Sequence, residues 1–362
     1  MRFCCRVMLF MAALANIPLN ANQIKLQRAD VEIDFKDDGY FKSIPFIELS
    51  NDLFFITDNF NHRILEYRLQ GNKLEFLRPI GRKGQGPGDL QRPTEISIGN
   101  GVLAVHDEMG ISFFGLDGIF KSKFQLLSKS TAMMFADGKI YSATYDSKES
   151  ELIQVYEGTP EPKFVFQEKK KLFPLNYDIH KGLSPDSVER IIFEGVLLAD
   201  GYVYYLNKRF GKCLQYTLEG KLRAERDLLA LLGKNEKAKA KENSRLFLEE
   251  GYDLIKANRM IPQNYIFDAA RFSDNRLYVL LDPYDVIEKK KKTQIEIIRI
   301  DPEKWAIEAR YVLDIGDAWT MNFVVARENG RPVFIVPLRQ PKEDEKICLF
   351  RPTPESPKRI SN

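Results

Sequence analysis

The sequence predicts an all-β protein made of six short antiparallel sheets stacked in a ring about one axis. Three observations carry this. A turn followed by an apolar strand recurs six times. The strands between turns are short and patterned for small sheets. The composition fits a folded domain: of 362 residues, 44% are hydrophobic and 12% aromatic, enough for a substantial core. Charge is nearly balanced, 54 Lys+Arg against 51 Asp+Glu for a net +3. That excludes a broad basic footprint for nucleic acid and an acidic disordered tail as dominant features.

Residues 1–21 come first. Arg2 and Arg6 precede an apolar run from Val7 to Ala15, followed by Pro18 and Ala21. Positive charge, a short apolar core and small residues are the marks of a secretory signal peptide, with cleavage after Ala15 or Ala21, the second being favoured because Pro18 breaks the helix just before it. The run is shorter than the roughly 20 residues that span a bilayer. Cys4 and Cys5 precede the apolar core, whereas a lipid-anchored cysteine would follow it. The expectation is an exported protein, periplasmic or extracellular, with no stable membrane span. Cys213 and Cys348 are then the remaining cysteines, which is neither a disulfide framework nor a zinc site.

The repeat units occupy residues 22–362, read as a single domain. Their turns are Ser50-Asn51-Asp52, Asn100-Gly101, Asp137-Gly138, Asp200-Gly201, Asp274-Asn275 and Asn329-Gly330. Asn-Gly and Asp-Gly supply the positive φ that tight hairpins need. One such sheet cannot bury both its faces, so the units must stack around an axis. Leu53-Phe54-Phe55-Ile56 and Val279-Leu280-Leu281 are continuous apolar runs, read as inner strands covered on both faces. Lys212-Cys213-Leu214-Gln215-Tyr216 alternates, as a half-exposed strand does.

Spacing widens between the fourth and fifth units. Residues 226–259 hold Leu228-Leu229-Ala230-Leu231-Leu232 and Leu246-Phe247-Leu248 among many Lys, Glu and Ala, read as one or two inserted amphipathic helices. The alternating stretch from Ile24 to Phe35 is expected to supply the outer strand of the last unit and close the ring.

The segment Thr57-Asp58-Asn59-Phe60-Asn61-His62-Arg63-Ile64, the turn Gly81-Arg82-Lys83-Gly84-Gln85-Gly86-Pro87-Gly88-Asp89-Leu90 and the strand Arg92-Pro93-Thr94-Glu95-Ile96-Ser97-Ile98 resemble the bacterial exported six-bladed β-propellers of the NHL-like superfamily. The resemblance implies a six-bladed β-propeller with a helical insertion between blades four and five, and an exported location. It implies no particular chemistry; many relatives serve as binding platforms.

No residue pattern signals an enzyme. The turn at residues 81–88 lacks a Gly-Lys-Ser/Thr ending and carries Pro87, so it reads as an inter-blade loop, not a phosphate cradle. The three histidines, His62, His106 and His180, do not cluster in sequence. The runs Lys169-Lys170-Lys171 and Lys289-Lys290-Lys291-Lys292 read as solvated hairpin tips. The leading expectation is therefore a noncatalytic platform that binds a protein, peptide or glycan. Its binding face carries the inner-strand starts and the turns between second and third strands, with His62, Arg63, Arg82, Arg92, Glu95, Glu194, Arg209 and Asn322 as candidate contacts. The alternative is a metal-dependent hydrolase or lyase acting on a lactone, ester or polysaccharide. Resemblance to lactonase-like propellers would place calcium or another divalent ion on Glu95, Glu194, Asp268 and Asn322; the leading reading requires no cofactor.

Overall fold

The computed structural model describes residues 23–34, 46–125, 130–145, 151–157, 164–168, 184–249, 264–340 and 345–353. The signal-peptide segment, His180 and Lys169 to Lys171 lie outside them. The strands form six four-stranded antiparallel blades. From the axis outward, blade one is Ile47–Ser50, Leu53–Asp58, Arg63–Gln70 and Lys73–Ile80. Blade two is Glu95–Gly99, Val102–Asp107, Gly110–Gly115 and Phe120–Phe124. Blade three is Ser130–Ala136, Lys139–Thr144, Glu151–Tyr156 and Phe164–Glu168. Blade four is Gly195–Ala199, Val203–Asn207, Lys212–Tyr216 and Leu222–Asp227. Blade five is Phe267–Ser273, Arg276–Leu281, Gln294–Asp301 and Ala306–Asp314. Blade six is Val324–Glu328, Arg331–Leu338 and Lys346–Pro352, with the N-terminal Gln23–Asp30 as its outer strand.

That N-terminal strand does more than complete a blade. Residues 26–30 pair antiparallel with Lys346–Pro352, while residues 23–25 pair in parallel with the outer strand of blade five. Blades five and six thereby share one eight-stranded sheet. Glu32–Ile33 then pairs with the outer strand of blade one. A single short segment ties three blades together.

The core is divided among the blade junctions. Phe55, Ile64 and Ile80 meet Ile96, Leu103 and Phe114 between blades one and two. Ile56 and Leu65 meet Val333 and Ile335 between blades one and six. Four comparable clusters fill the remaining junctions, so six clusters serve six junctions and the ring closes. The recurring turns join the first and second strands of each blade; Asn100 at φ 50° and Gly101 at φ 71° are typical.

Two readings of the sequence change. Leu53-Phe54-Phe55-Ile56 and Val279-Leu280-Leu281 lie on second strands, one step out from the axis. A second strand is paired along both edges and packed on both faces, so it is the most apolar. The innermost strand faces the channel along one edge and accepts polar residues. In the insertion, Leu228–Leu231 is a 3-10 turn capped by the Asp227 carboxylate, and Arg245–Glu249 is a π-type turn. The α-helix lies between them on the most charged stretch, Lys234–Ser244, and it buries Asn235, Glu236, Lys239, Ala240 and Asn243. Its buried face is polar because it docks on backbone groups. Asn243 Nδ2 donates to the carbonyls of Arg209 and Asn264, both at 2.8 Å. Asn235 Oδ1 accepts from Val286 N–H, and Asn235 Nδ2 donates to the Tyr284 carbonyl.

A further helix, Pro185–Ile192, fills the link between blades three and four. Ser184 caps it by accepting from Ser187 N–H, Pro185 opens it, and Val188, Ile191 and Ile192 are its apolar stripe. Among the described residues, no helix is long and apolar enough to cross a membrane.

Candidate functional site

The innermost strands all start at one face of the ring, around a central channel of about 340 Å³. The mouth on that face is built from strand starts and from the turns between second and third strands. Glu48 and Asp268 hold the second position of the innermost strands of blades one and five; Glu95 opens that of blade two. Glu194 and Asn322 stand just before the innermost strands of blades four and six.

Arg271, on the innermost strand of blade five, crosses the mouth. One terminal nitrogen donates to Asn322 Oδ1 at 2.6 Å and lies 3.5 Å from Glu48 Oε1, so it links blades five, six and one. Glu95 Oε2 accepts from Met133 N–H of blade three at 3.0 Å. Glu194 Oε2 accepts from the Tyr265 hydroxyl at 2.8 Å, and the Arg209 guanidinium lies 3.6 Å from it. Arg209 is held by the Ile191 carbonyl and lies over the rings of Tyr265 and Phe247. Lys208 stands over the Tyr265 ring.

Enclosure by the surrounding strands sets the protonation of these acids. Burial raises Glu48, against the pull of Arg271. Burial raises Glu95 to about 8, although the Met133 N–H, Arg271 and Lys208 favour its charged form. Asp268 is likewise pushed to about 8, by burial and by neighbouring Asp282, with Lys208 and Lys239 opposing. Near neutral pH the mouth therefore carries protons that these carboxyls would lose in water. Burial lowers His106, which sits opposite Glu95 in the sheet register, so its ring stays neutral.

These raised values predict a pH signature. The native state holds a proton on Glu95 that the unfolded chain releases above about pH 4.5. Stability from this group therefore declines as pH rises from about 4.5 to 8. Glu95→Gln retains an acceptor for Met133 N–H but does not titrate. The variant should melt with the wild type near pH 5 and above it at pH 8, by roughly 2 kcal/mol after allowing for water in the channel. A stability gap that stays constant across this range would refute the assignment.

The sequence-derived candidates separate into two groups. Glu95, Glu194, Arg209, Asp268 and Asn322 come together around the mouth. His62, Arg63, Arg82 and Arg92 lie on the same face but build the junction of blades one and two. His62 ends its turn at φ 58°, and its Nδ1 accepts from Arg92 N–H. Arg63 pairs with buried Asp58 at 3.0 Å, Arg82 with Asp89 at 3.0 Å, and Arg92 with Glu108 at 3.3 Å. The loop at residues 81–88 is pinned by Asp89, whose carboxylate accepts from Gly86 N–H and Arg82.

The candidate metal set of Glu95, Glu194, Asp268 and Asn322 does not form a ligand shell. Among the described residues, no three His, Cys, Asp or Glu side chains gather to hold an ion. Glu95, Glu194 and Asn322 instead accept from Met133, Tyr265 and Arg271, and Lys208 and Arg271 supply the positive charge that a cation would bring. Sequence reasoning missed Glu48, Lys208, Tyr265 and Arg271. Glu48 and Arg271 were recoverable as a pair, since aligning the first strands by their turns places them level, each three residues before its turn.

Residues 31–179 match the family model described as a 6-bladed beta-propeller, DUF5128. The chain is a six-bladed β-propeller. Two solved structures resemble the propeller over nearly its whole length. One, from Bacteroides fragilis, is named as an exported protein; it is 13% identical, the match covers 92% of this chain and 99% of that one, and the TM-score is 0.54. The other is a DUF4221-family member from Bacteroides vulgatus, 11% identical, with coverage of 91% and 98% and a TM-score of 0.56. At such identities the likeness establishes the fold. No curated protein sequence matches the propeller.

Proposed function

We propose that this propeller is a noncatalytic binding platform of the exported compartment, and that its ligand docks on the face where the innermost strands begin. The observation that carries the reading is the distribution of exposed large apolar side chains. Of the six among the described residues, Phe60, Ile287, Trp319 and Met321 all stand on segments of that face; Ile119 and Leu222 do not. Phe60 is on the second-to-third-strand turn of blade one and Ile287 on that of blade five. Trp319 and Met321 are on the link into blade six, where Lys291 covers the Trp319 ring. Aromatic side chains and methionine are enriched in recognition surfaces over the rest of a protein's exterior.

A protein, peptide or glycan fits this surface. A polypeptide fits it best, with apolar side chains on the rim and polar groups over Lys208 and Glu194. Export is supported by the pattern of residues 1–21 and by the name of the Bacteroides fragilis neighbour. The test is binding of the full chain to peptide and glycan arrays, alongside Phe60→Ser/Trp319→Ser. Both positions are about half exposed, so the variant should fold normally. Hits should weaken by about tenfold or more, as expected when aromatic anchors are removed. Hits that do not respond to the substitutions would eliminate this face.

A further inference from the structure

The axial mouth holds more hydrogen-bond donors than its own acceptors satisfy. Arg271 lines the channel, and 15% of its side chain is exposed. One terminal nitrogen is engaged by Asn322 and Glu48, the other by the Ala270 carbonyl. Its Nε, however, is buried with no hydrogen-bond partner among the described residues. Asn322 is only 2% exposed. Its Oδ1 accepts from both Arg271 and Phe323 N–H, which fixes the orientation of the amide and leaves Nδ2 a buried donor without an acceptor. Buried donors are ordinarily paired. Two unmet ones on adjoining side chains at a channel mouth point to an acceptor that comes from outside the chain.

Lys208 adds a charge to this excess. It stands on the second-to-third-strand turn of blade four, and its side chain has no hydrogen bond or ion pair among the described residues; its contact is the Tyr265 ring, 5.7 Å away. Lys208 and Arg271 both act on the Glu95 carboxyl, although the three belong to blades four, five and two. They therefore converge over the axis. The remaining charges of the mouth are matched or absent. Arg209 and the Tyr265 hydroxyl face Glu194, and Arg271 faces Glu48. Burial keeps protons on Glu95 and Asp268 near neutral pH. Because Glu95 Oε2 accepts from Met133 N–H, Oε1 is the oxygen left to carry the proton and donate it. One positive charge and several donors thus remain unmatched. A carboxylate, which only accepts and brings one negative charge, answers both.

We propose that the axial mouth captures the C-terminal carboxylate of a polypeptide between Lys208 and Arg271, with the last residues of that polypeptide entering the channel. The inference rests on the platform reading above and names the group that the polar centre of the face receives. The channel wall supports a polypeptide end. It is built from innermost strands, including residues 96–99 of blade two and 197–199 of blade four, whose free edges offer partners to the N–H and C=O groups of an extended chain. A space of about 340 Å³ admits a chain end but not a folded element.

The probe is a library of N-acetylated tetrapeptides with free C-termini, each paired with its C-terminal amide, screened on the full chain and followed by calorimetry of the hits. Each free acid that binds should do so about tenfold or more tightly than its amide, the scale of one charge-assisted contact. These pairs test the wild type without any substitution. In Lys208→Met, checked for folding by circular dichroism, acid and amide should bind alike. Discrimination that persists in this variant overturns the proposal, as does a library with no binder at millimolar concentration. Galacturonate that displaces a hit as well as the free peptide does would overturn the assignment to a polypeptide end. Phe60→Ser/Trp319→Ser should weaken acid and amide equally and leave their ratio unchanged. Acid and amide that bind alike in the wild type, yet both respond to the rim substitutions, would overturn this inference and leave the platform standing. Discrimination without any response to the rim would do the reverse.

Discussion

Lys239→Met should destabilise the protein by about 3–5 kcal/mol at pH 8, the usual result of breaking a buried ion pair from one side. Lys239 is fully buried, and its ammonium donates to both the Asp282 carboxylate and the Asp282 carbonyl. Removing it leaves Asp282, which Glu236 and Asp268 flank, without its ammonium partner, while Lys208 still acts on Asp268. Over a chain of this length, that loss corresponds to a fall in melting midpoint of about 4–7 °C. The pH dependence identifies the cause. Burial already raises Asp282 in the wild type, with Lys239 opposing, so without Lys239 it rises further. The variant then holds a proton in the native state that the unfolded chain releases, and its stability falls with increasing pH until that raised value is passed. The deficit should accordingly be small at pH 5 and large at pH 8. Adding Asp282→Asn should recover more than half of it, because the orphaned charge is then gone. A Lys239→Met midpoint within a degree of the wild type at pH 8 would mean that the helix is held in place by its asparagines alone.

This helix also marks where sequence reasoning stopped. The ring of blades was legible because its signals are local and repeated: an Asn-Gly or Asp-Gly pair fixes a hairpin whatever surrounds it, and Leu53 to Ile56 must be covered on both faces. The insertion has no such signal. Its leucines at 228–232 and 246–248 suggested apolar helix faces, yet the helix formed on Lys234–Ser244, whose buried side chains are Asn235, Glu236, Lys239 and Asn243. What fixes it is the set of backbone carbonyls and the carboxylate offered by blades four and five, and these come into range only after the blades assemble. The mouth behaves in the same way. Glu95, Asp268 and Asn322 could be placed near the axis by aligning repeats. Their pairing could not, because Arg271 reaches blades one and six from blade five, and no spacing in the chain encodes that reach. His62 and Arg92 have a shaping role that spacing does not reveal: the ring nitrogen of one accepts the backbone N–H of the other across the blade junction.

Removing residues 1–33 should have the largest effect of any change considered, because one strand serves three blades. Without it, Lys346–Pro352 and Ala306–Asp314 each lose a paired neighbour, and the outer strand of blade one loses Glu32–Ile33. Ile24, Leu26, Ala29, Val31 and Ile33 also leave the clusters at the junctions flanking blade six. Burial of five such side chains and roughly eight strand hydrogen bonds, offset by the entropy of ordering the segment, leaves a net contribution on the order of 5 kcal/mol. Loss of that contribution is only half of the expectation. The two newly bare edges belong to adjacent blades and face the same gap, and an unpaired edge is a template for another chain. The shortened chain should therefore melt well below the full one and elute from a sizing column as dimers or larger species, since a second copy can offer the missing strand pairing. Restoring residues 23–33 as a synthetic peptide should bring back the monomer and raise the midpoint in proportion to peptide concentration, as binding to the native state alone requires. A shortened chain that remains monomeric and melts within about 2 °C of the full one would show that blade six is closed by its own three strands, and that the N-terminal strand only lies against a ring already complete.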